Sequence, residues 1–596
     1  MATGTEETQG KKDGRARRTG GRKKLTRKQR RTALIYTYTA GGIALALIVI
    51  LAAVLIGTHP DLAETPPAPT VAPTVAPTVA PAATPSPRPT ETPAPTPEPE
   101  PTPMPVVSAA QPSEFKMKTT IYQEGEKVET YQRADEIHMA SSEEYAQVDG
   151  VLTFRGNNYR DGGAFGLVPE DASKLTIEWQ RSIGGIDKWG GVGWTGQPAI
   201  VRWDESVRNQ MNLKENKKNK EGLCEVIYAT LDGKIYFLDL EDGKATRSAI
   251  KLGAPIKGSV SVDPRGWPLL YTGQGIDTVN GKSVKIGYRV YSLIDQKQLL
   301  FINGKEKYAP RNWGAFDCSA LLDVGSDTLL ELGENGIVYT IKLNTQYDQA
   351  QGSISIDPAI DRYTFKASIS GQLGMENSLC VYDHYAYFTD NSGMLQCLDL
   401  NTFEPVWLAD VTDDTDASSA LEEEGEDLFL YTACEVDQQK KSGGGKSHMR
   451  KFDARTGEEL WDFAVSCSGT HENNGGAFGS PAIGKNQLKD LVYFHVARTK
   501  QGGTLYALNK QTGEKAWSLD MGVYGWSSPV CVYDQNGRGY VILGNSKGTL
   551  RLIDGLTGKV IDSVKLNANI EGTPAVFEDM LVVGTRGRKI YGIRIS

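Results

Sequence analysis

The stretch GGTLYALNKQTGEKAWSLDMG, residues 502–522, decides how the rest of the chain is read. Leu505 and Ala507 alternate with polar neighbours, which is the two-residue period of a half-buried strand. NKQTG then turns the chain, with Gly513 free to take a positive φ, and Trp517 opens a second strand. A tryptophan at that place carries enough apolar surface to wedge between two packed sheets.

The stretch recurs. GKIYFLDLEDGKAT at 233, GYRVYSLIDQKQLLF at 287, GIVYTIKLNTQYD at 336, GMLQCLDLNTFEPVW at 393, HMRKFDARTGEELW at 448, GTLRLIDGLTGKVID at 548 and RKIYGIRIS at 588 align with it. Eight copies at this spacing suit four strands per blade of a β-propeller. Ahead of each copy lies a segment of small residues: TGQPAIV, KGSVSVD, DCSALLD, ENSLCVYD, DASSALEE, GSPAIG, SSPVCVYD and EGTPAVF. These are the expected inner strands, where blades crowd around the axis. The last copy has no outer strand after it, whereas LTIEWQRSI (175–183) has the pattern of an outer strand and no blade before it. Pairing the two closes the ring and removes two exposed edges. The expected fold is therefore all-β, an eight-bladed propeller over 151–596 closed by an N-terminal strand, with Trp179, Trp407, Trp461 and Trp517 as docking residues.

What precedes the propeller divides by composition. Residues 1–32 hold twelve basic and three acidic residues, a balance of +9, so the remainder carries −17 of the net −8. Residues 33–57 contain no charge, and a helix of that length at about 1.5 Å per residue crosses a bilayer core of roughly 30 Å. Basic residues crowd only its N-terminal side, which predicts a cytoplasmic tail, a single-pass anchor in the plasma membrane and an extracytoplasmic propeller. The basic tail is read as orientation and lipid contact, not nucleic-acid binding. Residues 58–106 form a Pro/Thr-rich stalk, with 17 of the 29 prolines lying between 60 and 105. Within 107–150, two alternating stretches flank the turn-like QEGE and predict a β-hairpin.

The pattern of glycine, strand, Asp/Asn, Thr-Gly and tryptophan resembles the repeat of the pyrroloquinoline-quinone-like, or tryptophan-docking, propellers. The lead-in FRGNNYRDGGAFG (154–166) looks like the segment that opens many bacterial members. The resemblance implies either a quinone-dependent dehydrogenase or a non-catalytic scaffold such as the propeller of the outer-membrane β-barrel assembly machine. A dehydrogenase of this kind is expected to carry adjacent cysteines, calcium ligands and an Asp base. Here the seven cysteines are never adjacent, and the acidic run TDDTDASSALEEEGED (412–427) lacks the alternating ligands of a calcium loop and reads as solvated loop and turn. The six histidines show no transition-metal spacing. The expectation is thus a membrane-anchored binding or scaffold module for a cell-envelope protein or glycan, non-enzymatic, without cofactor or metal. The alternative is an oxidoreductase with a divergent quinone site.

Loops leading into the inner strands pair aromatics with glycines: DKWGGVGWTG, RNWGAFD, GGAFGS and GVYGWSS. On a propeller these loops share one face, so Trp189, Trp194, Trp313, Phe316, Phe478, Tyr524 and Trp526 are the candidate binding rim, with Arg311, His471 and Asn473 as polar candidates. For each aromatic the competing reading is a filler between blades. Arg155 and Asn157 are read as pinning the loop at the ring's seam through backbone hydrogen bonds.

Overall fold

In a computed structural model, the residues described are 105–193, 196–439, 443–469 and 474–596. The basic tail, the apolar segment 33–57 and most of the Pro-rich stretch lie outside them.

Eight antiparallel sheets succeed one another along the chain: blade 1 over 199–251, blade 2 over 261–303, blade 3 over 321–366, blade 4 over 380–410, blade 5 over 420–468, blade 6 over 482–520, blade 7 over 530–565, and blade 8 over 575–595. Blade 8 takes its outer strand from Leu175–Ser182, which pairs antiparallel with Lys589–Ile595, Trp179 opposite Gly592. The expected closure by an N-terminal strand is what the chain does.

The repeat residues explain the blade locally. After Gly503–Asn509, the Asn509 side chain accepts the N–H groups of Gln511 (3.0 Å) and Thr512 (2.9 Å), and Gly513 turns at φ +70°. These bonds satisfy the turn's backbone while the left-handed glycine reverses direction into Lys515–Asp520. The tryptophans then reach sideways. The indole N–H of Trp517 donates to Gly555 (3.0 Å), Trp461 to Lys510 (2.9 Å), Trp407 to Ala454 (2.8 Å) and Trp179 to Leu240 (2.8 Å), each acceptor lying in the turn of the next blade. The ring of each lies on a glycine of that turn, since a Cβ at Gly558, Gly513, Gly457 or Gly243 would stand 2.4–2.9 Å from it. Thr-Gly and Trp are thus two halves of one contact between neighbouring blades.

Blade 3 departs from the pattern. A small hairpin, Gln346–Asp348 with Ser353–Ser355, intervenes before its outer strand Ala359–Lys366, which is why the copy at 336 lacks the Thr-Gly turn. Two further strands cover that outer edge: Lys118–Gln123 pairs with Ala359–Lys366, and Glu126–Val128 pairs with Lys118–Gln123. The hairpin in the lead-in therefore caps an otherwise open sheet edge.

Replacing Gly513 by Ala is expected to destabilise the protein by about 1–3 kcal/mol more than Gly425→Ala. Both positions have φ near +65 to +70°, but only at 513 does the new methyl meet Trp461, at 2.8 Å. Urea unfolding of the two variants measures the difference, and equal losses would remove the docking role from Gly513.

Candidate functional site

The axis of the ring is occupied by the chain itself. Gly150–Val151 pairs with blade 1; Val262 of blade 2 donates to Leu152 (2.8 Å), Val381 of blade 4 to Asn158 (2.8 Å) and Leu421 of blade 5 to Tyr159 (2.9 Å). Thr153 donates to Ala320 of blade 3. Ala164–Phe165 runs parallel to the inner strand of blade 8. Two arginines complete the arrangement. Arg155 donates to the carbonyls of Pro529 (2.6 Å) and Pro481 (2.9 Å), in the loops entering blades 7 and 6. Arg160 donates to Leu379 (2.8 Å), Phe154 (2.7 Å), Ser319 (2.6 Å) and the Thr153 hydroxyl (2.8 Å). Burial pushes both guanidinium groups down to about 10, which leaves them charged at neutral pH. Arg155 was expected at the seam; it acts across the axis instead, and Asn157 bonds only within its own loop, to Asp161 and Tyr159.

Around this axial segment the inner-strand segments of blades 2 to 7 present the same positions in register. A belt of hydroxyls links neighbouring blades: the N–H of Gln197 donates to Ser259 (2.9 Å), Ser319 to Ser378 (2.9 Å), Ser378 to Ser418 (2.8 Å) and Ser480 to Ser528 (3.0 Å). Two residues before these hydroxyls stand Lys257, Asp317, Glu376, Asp416, Phe478 and Trp526. One repeat position thus supplies an acidic arc and an aromatic pair.

In the acidic arc, Lys257 pairs with Asp317, Glu334 (3.5 Å) and Glu376 (3.8 Å). Asn391 donates to Glu376 (2.9 Å) and Asn474 to Glu435 (3.0 Å). Burial and neighbouring carboxylates push Glu334, Asp414 and Glu435 well up, and Asp416 up to about 7. Glu376 is held below its ordinary value: burial opposes its charge, but Lys257 and the hydrogen bonds it accepts outweigh that cost. Asp414 and Asp416 come from the acidic run read above as a solvated loop; they face the axis. Ligand atoms of Asp317, Glu334 and Glu376 lie within 4.8 Å of one another, close enough to share a cation, but the Lys257 ammonium already stands among them. The cavity lined by Phe154, Ser259, Asp317, Glu376 and Asp416 has a volume of about 10 Å³, the size of one water. These residues do not fit a fused-ring quinone with its calcium.

The rim candidates separate. Phe478 and Trp526 stack at 4.9 Å and 28°. Tyr524 is half-buried under the guanidinium of Arg498 (4.8 Å) and lines a cleft of about 470 Å³ shared with Lys500 and Lys547. Trp189 is half-buried between Lys188 (5.5 Å) and Arg586 (5.9 Å). Trp313 packs on the small cluster of Ala254, Val279, Ile286 and Ala315. Phe316 is 1 % exposed and sits 5.6 Å from both Tyr288 and Tyr339, so it fills the seam between blades 2 and 3. Arg311 lies beside the acidic arc, donating to the backbone carbonyl of Glu334 (3.4 Å) and to Asn391 Oδ1 (3.5 Å). Trp194, His471 and Asn473 lie outside the described residues.

Residues 501–596 match the family profile described as outer membrane protein assembly factor BamB. Over these residues the chain is similar to the pyrroloquinoline-quinone-like, tryptophan-docking repeat. Among solved structures, BamB from Moraxella catarrhalis is 16% identical over 66% of this chain and 98% of its own, with a TM-score of 0.43. The computationally designed Ika8 protein is 13% identical over 70% and 98%, TM-score 0.43. The quinohemoprotein alcohol dehydrogenase from Comamonas testosteroni is 12% identical over 76% and 82%, TM-score 0.38. No curated protein matches the chain in sequence.

The acidic arc yields a signed prediction. A carboxyl raised in the fold adds stability that is fully present below its unfolded value and is lost as pH rises through its folded value. For Asp416 that window runs from 3.8 to about 7. Asp416→Asn is therefore expected to lessen the fall in thermal midpoint between pH 5 and 8 relative to the parent chain. An unchanged slope would place Asp416 outside the coupled cluster.

Proposed function

We propose that this chain is a binding propeller for a protein partner. In this reading the apolar segment 33–57 anchors it in the plasma membrane, and the propeller stands on the extracytoplasmic side. The observation that carries it is the filled axis: where a cofactor-dependent propeller needs a pocket of several hundred Å³, the cavity that Phe154, Asp317, Glu376 and Asp416 line among the described residues holds about one water. The cleft places Tyr524 beside Arg498, two residue types that protein interfaces favour at their energetic centres, with Lys500 and Lys547 on its border. In the loops of the same two blades, 6 and 7, Trp526 is half-buried and stacks on the buried Phe478. The family profile matching 501–596 covers these blades in part and is described as an assembly factor, which supports a protein as the ligand.

Site-specific photocrosslinking in the native envelope tests this. A benzophenone amino acid at position 524 is expected to capture a defined protein, and one at position 517 is not. Capture at neither position, or quinone-dependent dye reduction by the purified chain, would overturn the reading.

A further inference from the structure

Two histidines far apart in sequence meet at one carboxylate. Asp383 and His384 form the two-residue turn between Cys380–Tyr382 and Tyr385–Thr389 of blade 4, with Asp383 at φ +51°. The Asp383 carboxylate bonds His138 Nδ1 through one oxygen (2.8 Å) and His384 Nδ1 through the other (2.7 Å). The rings stand edge to face, 5.9 Å apart. Glu136 lies 3.5 Å from His138 Nε2, and Asp399 lies 4.0 Å from His384 Nε2. Two imidazoles are thus bordered by three carboxylates.

The site is held rigidly. Ile137 donates its N–H to Asn401 (2.8 Å) and accepts from the Asn401 side chain (3.2 Å), while Met139 donates to the Asp383 carbonyl (3.0 Å). Ile137 and Met139 are buried on either side of His138, which leaves the imidazole itself more than half exposed. Such support from both neighbours fixes a ligand before any ion arrives.

One ligand atom from each of His138, Asp383 and His384 lies within 4.8 Å of the others. A tetrahedral shell at about 2.0–2.2 Å sets neighbouring ligand atoms roughly 3.3–3.6 Å apart, so a side-chain rotation suffices to close around an ion. Neutral imidazole nitrogens with a carboxylate oxygen select a borderline divalent cation over magnesium or calcium. We propose that His138, Asp383 and His384 bind one divalent ion of the Zn²⁺ type and so clip the segment before the propeller onto blade 4. The two histidines are 246 positions apart, so no spacing motif could announce them.

Calorimetric titration of the metal-stripped full chain with Zn²⁺ tests the site. The expected result is one ion bound with Kd tighter than about 10 μM. His138→Ala and His384→Gln are each expected to weaken it about tenfold or more, whereas His448→Ala, which removes a histidine paired with Asp462 in blade 5, leaves it unchanged. Zn²⁺ is also expected to slow tryptic cleavage in 116–133 of the parent chain and not of His138→Ala. Binding only in the millimolar range, or equal loss in all three variants, would overturn the proposal. So would unaltered binding in both site variants.

Discussion

A propeller's blades touch only their neighbours, so a ring of eight needs something that refers every blade to a common centre. Here the segment 150–165 does this. Its backbone and side chains hydrogen-bond to the inner strands, or the loops entering them, of all eight blades, through Leu152, Thr153, Asn158, Tyr159, the two buried arginines and short pairings at each end. Arg155 and Arg160 suit the task because a guanidinium offers several N–H donors in a plane, and the carbonyls converging at a propeller axis would otherwise be buried without partners.

Farther from the axis the hold is pairwise. A hydroxyl belt ties inner strands, and the indole of one blade rests on the turn glycine of the next. The four tryptophans mark the seams at blades 4, 5, 6 and 8, while Phe316 between Tyr288 and Tyr339 fills the seam of blades 2 and 3. Uniform architecture thereby leaves one repeat position free to vary, and it varies from Lys257 through three carboxylates to Phe478 and Trp526. The propeller acquires an acidic side and an aromatic side without any change of fold.

The architecture was legible because its causes are local. Strand period, the Asp/Asn cap, the left-handed glycine and the tryptophan fall within fifteen residues, and the seam could be predicted by asking which strand lacked a sheet. The acidic arc was legible in principle, since Asp317, Glu376 and Asp416 hold one register before the small-residue strands; read as a surface run, 412–427 concealed it. Phe316 and Trp526 look alike in sequence, each an aromatic beside glycine or serine before an inner strand, and only packing separates a fully buried seam filler from a half-buried ring. The meeting of His138 with His384 depends on how the lead-in crosses blade 4, a long-range fact carried by Asn401 and Asp383.

The central claim is that the axial segment holds the ring together, and Arg160→Met tests it most directly. Methionine keeps much of the apolar volume but withdraws the donors that now serve Leu379, Phe154, Ser319 and Thr153. Equilibrium urea unfolding of the full chain, followed by tryptophan fluorescence, is predicted to show a loss of at least about 3 kcal/mol, because several buried acceptors lose their partner at once. A loss below about 1 kcal/mol, the value of a single ordinary hydrogen bond, would contradict the account.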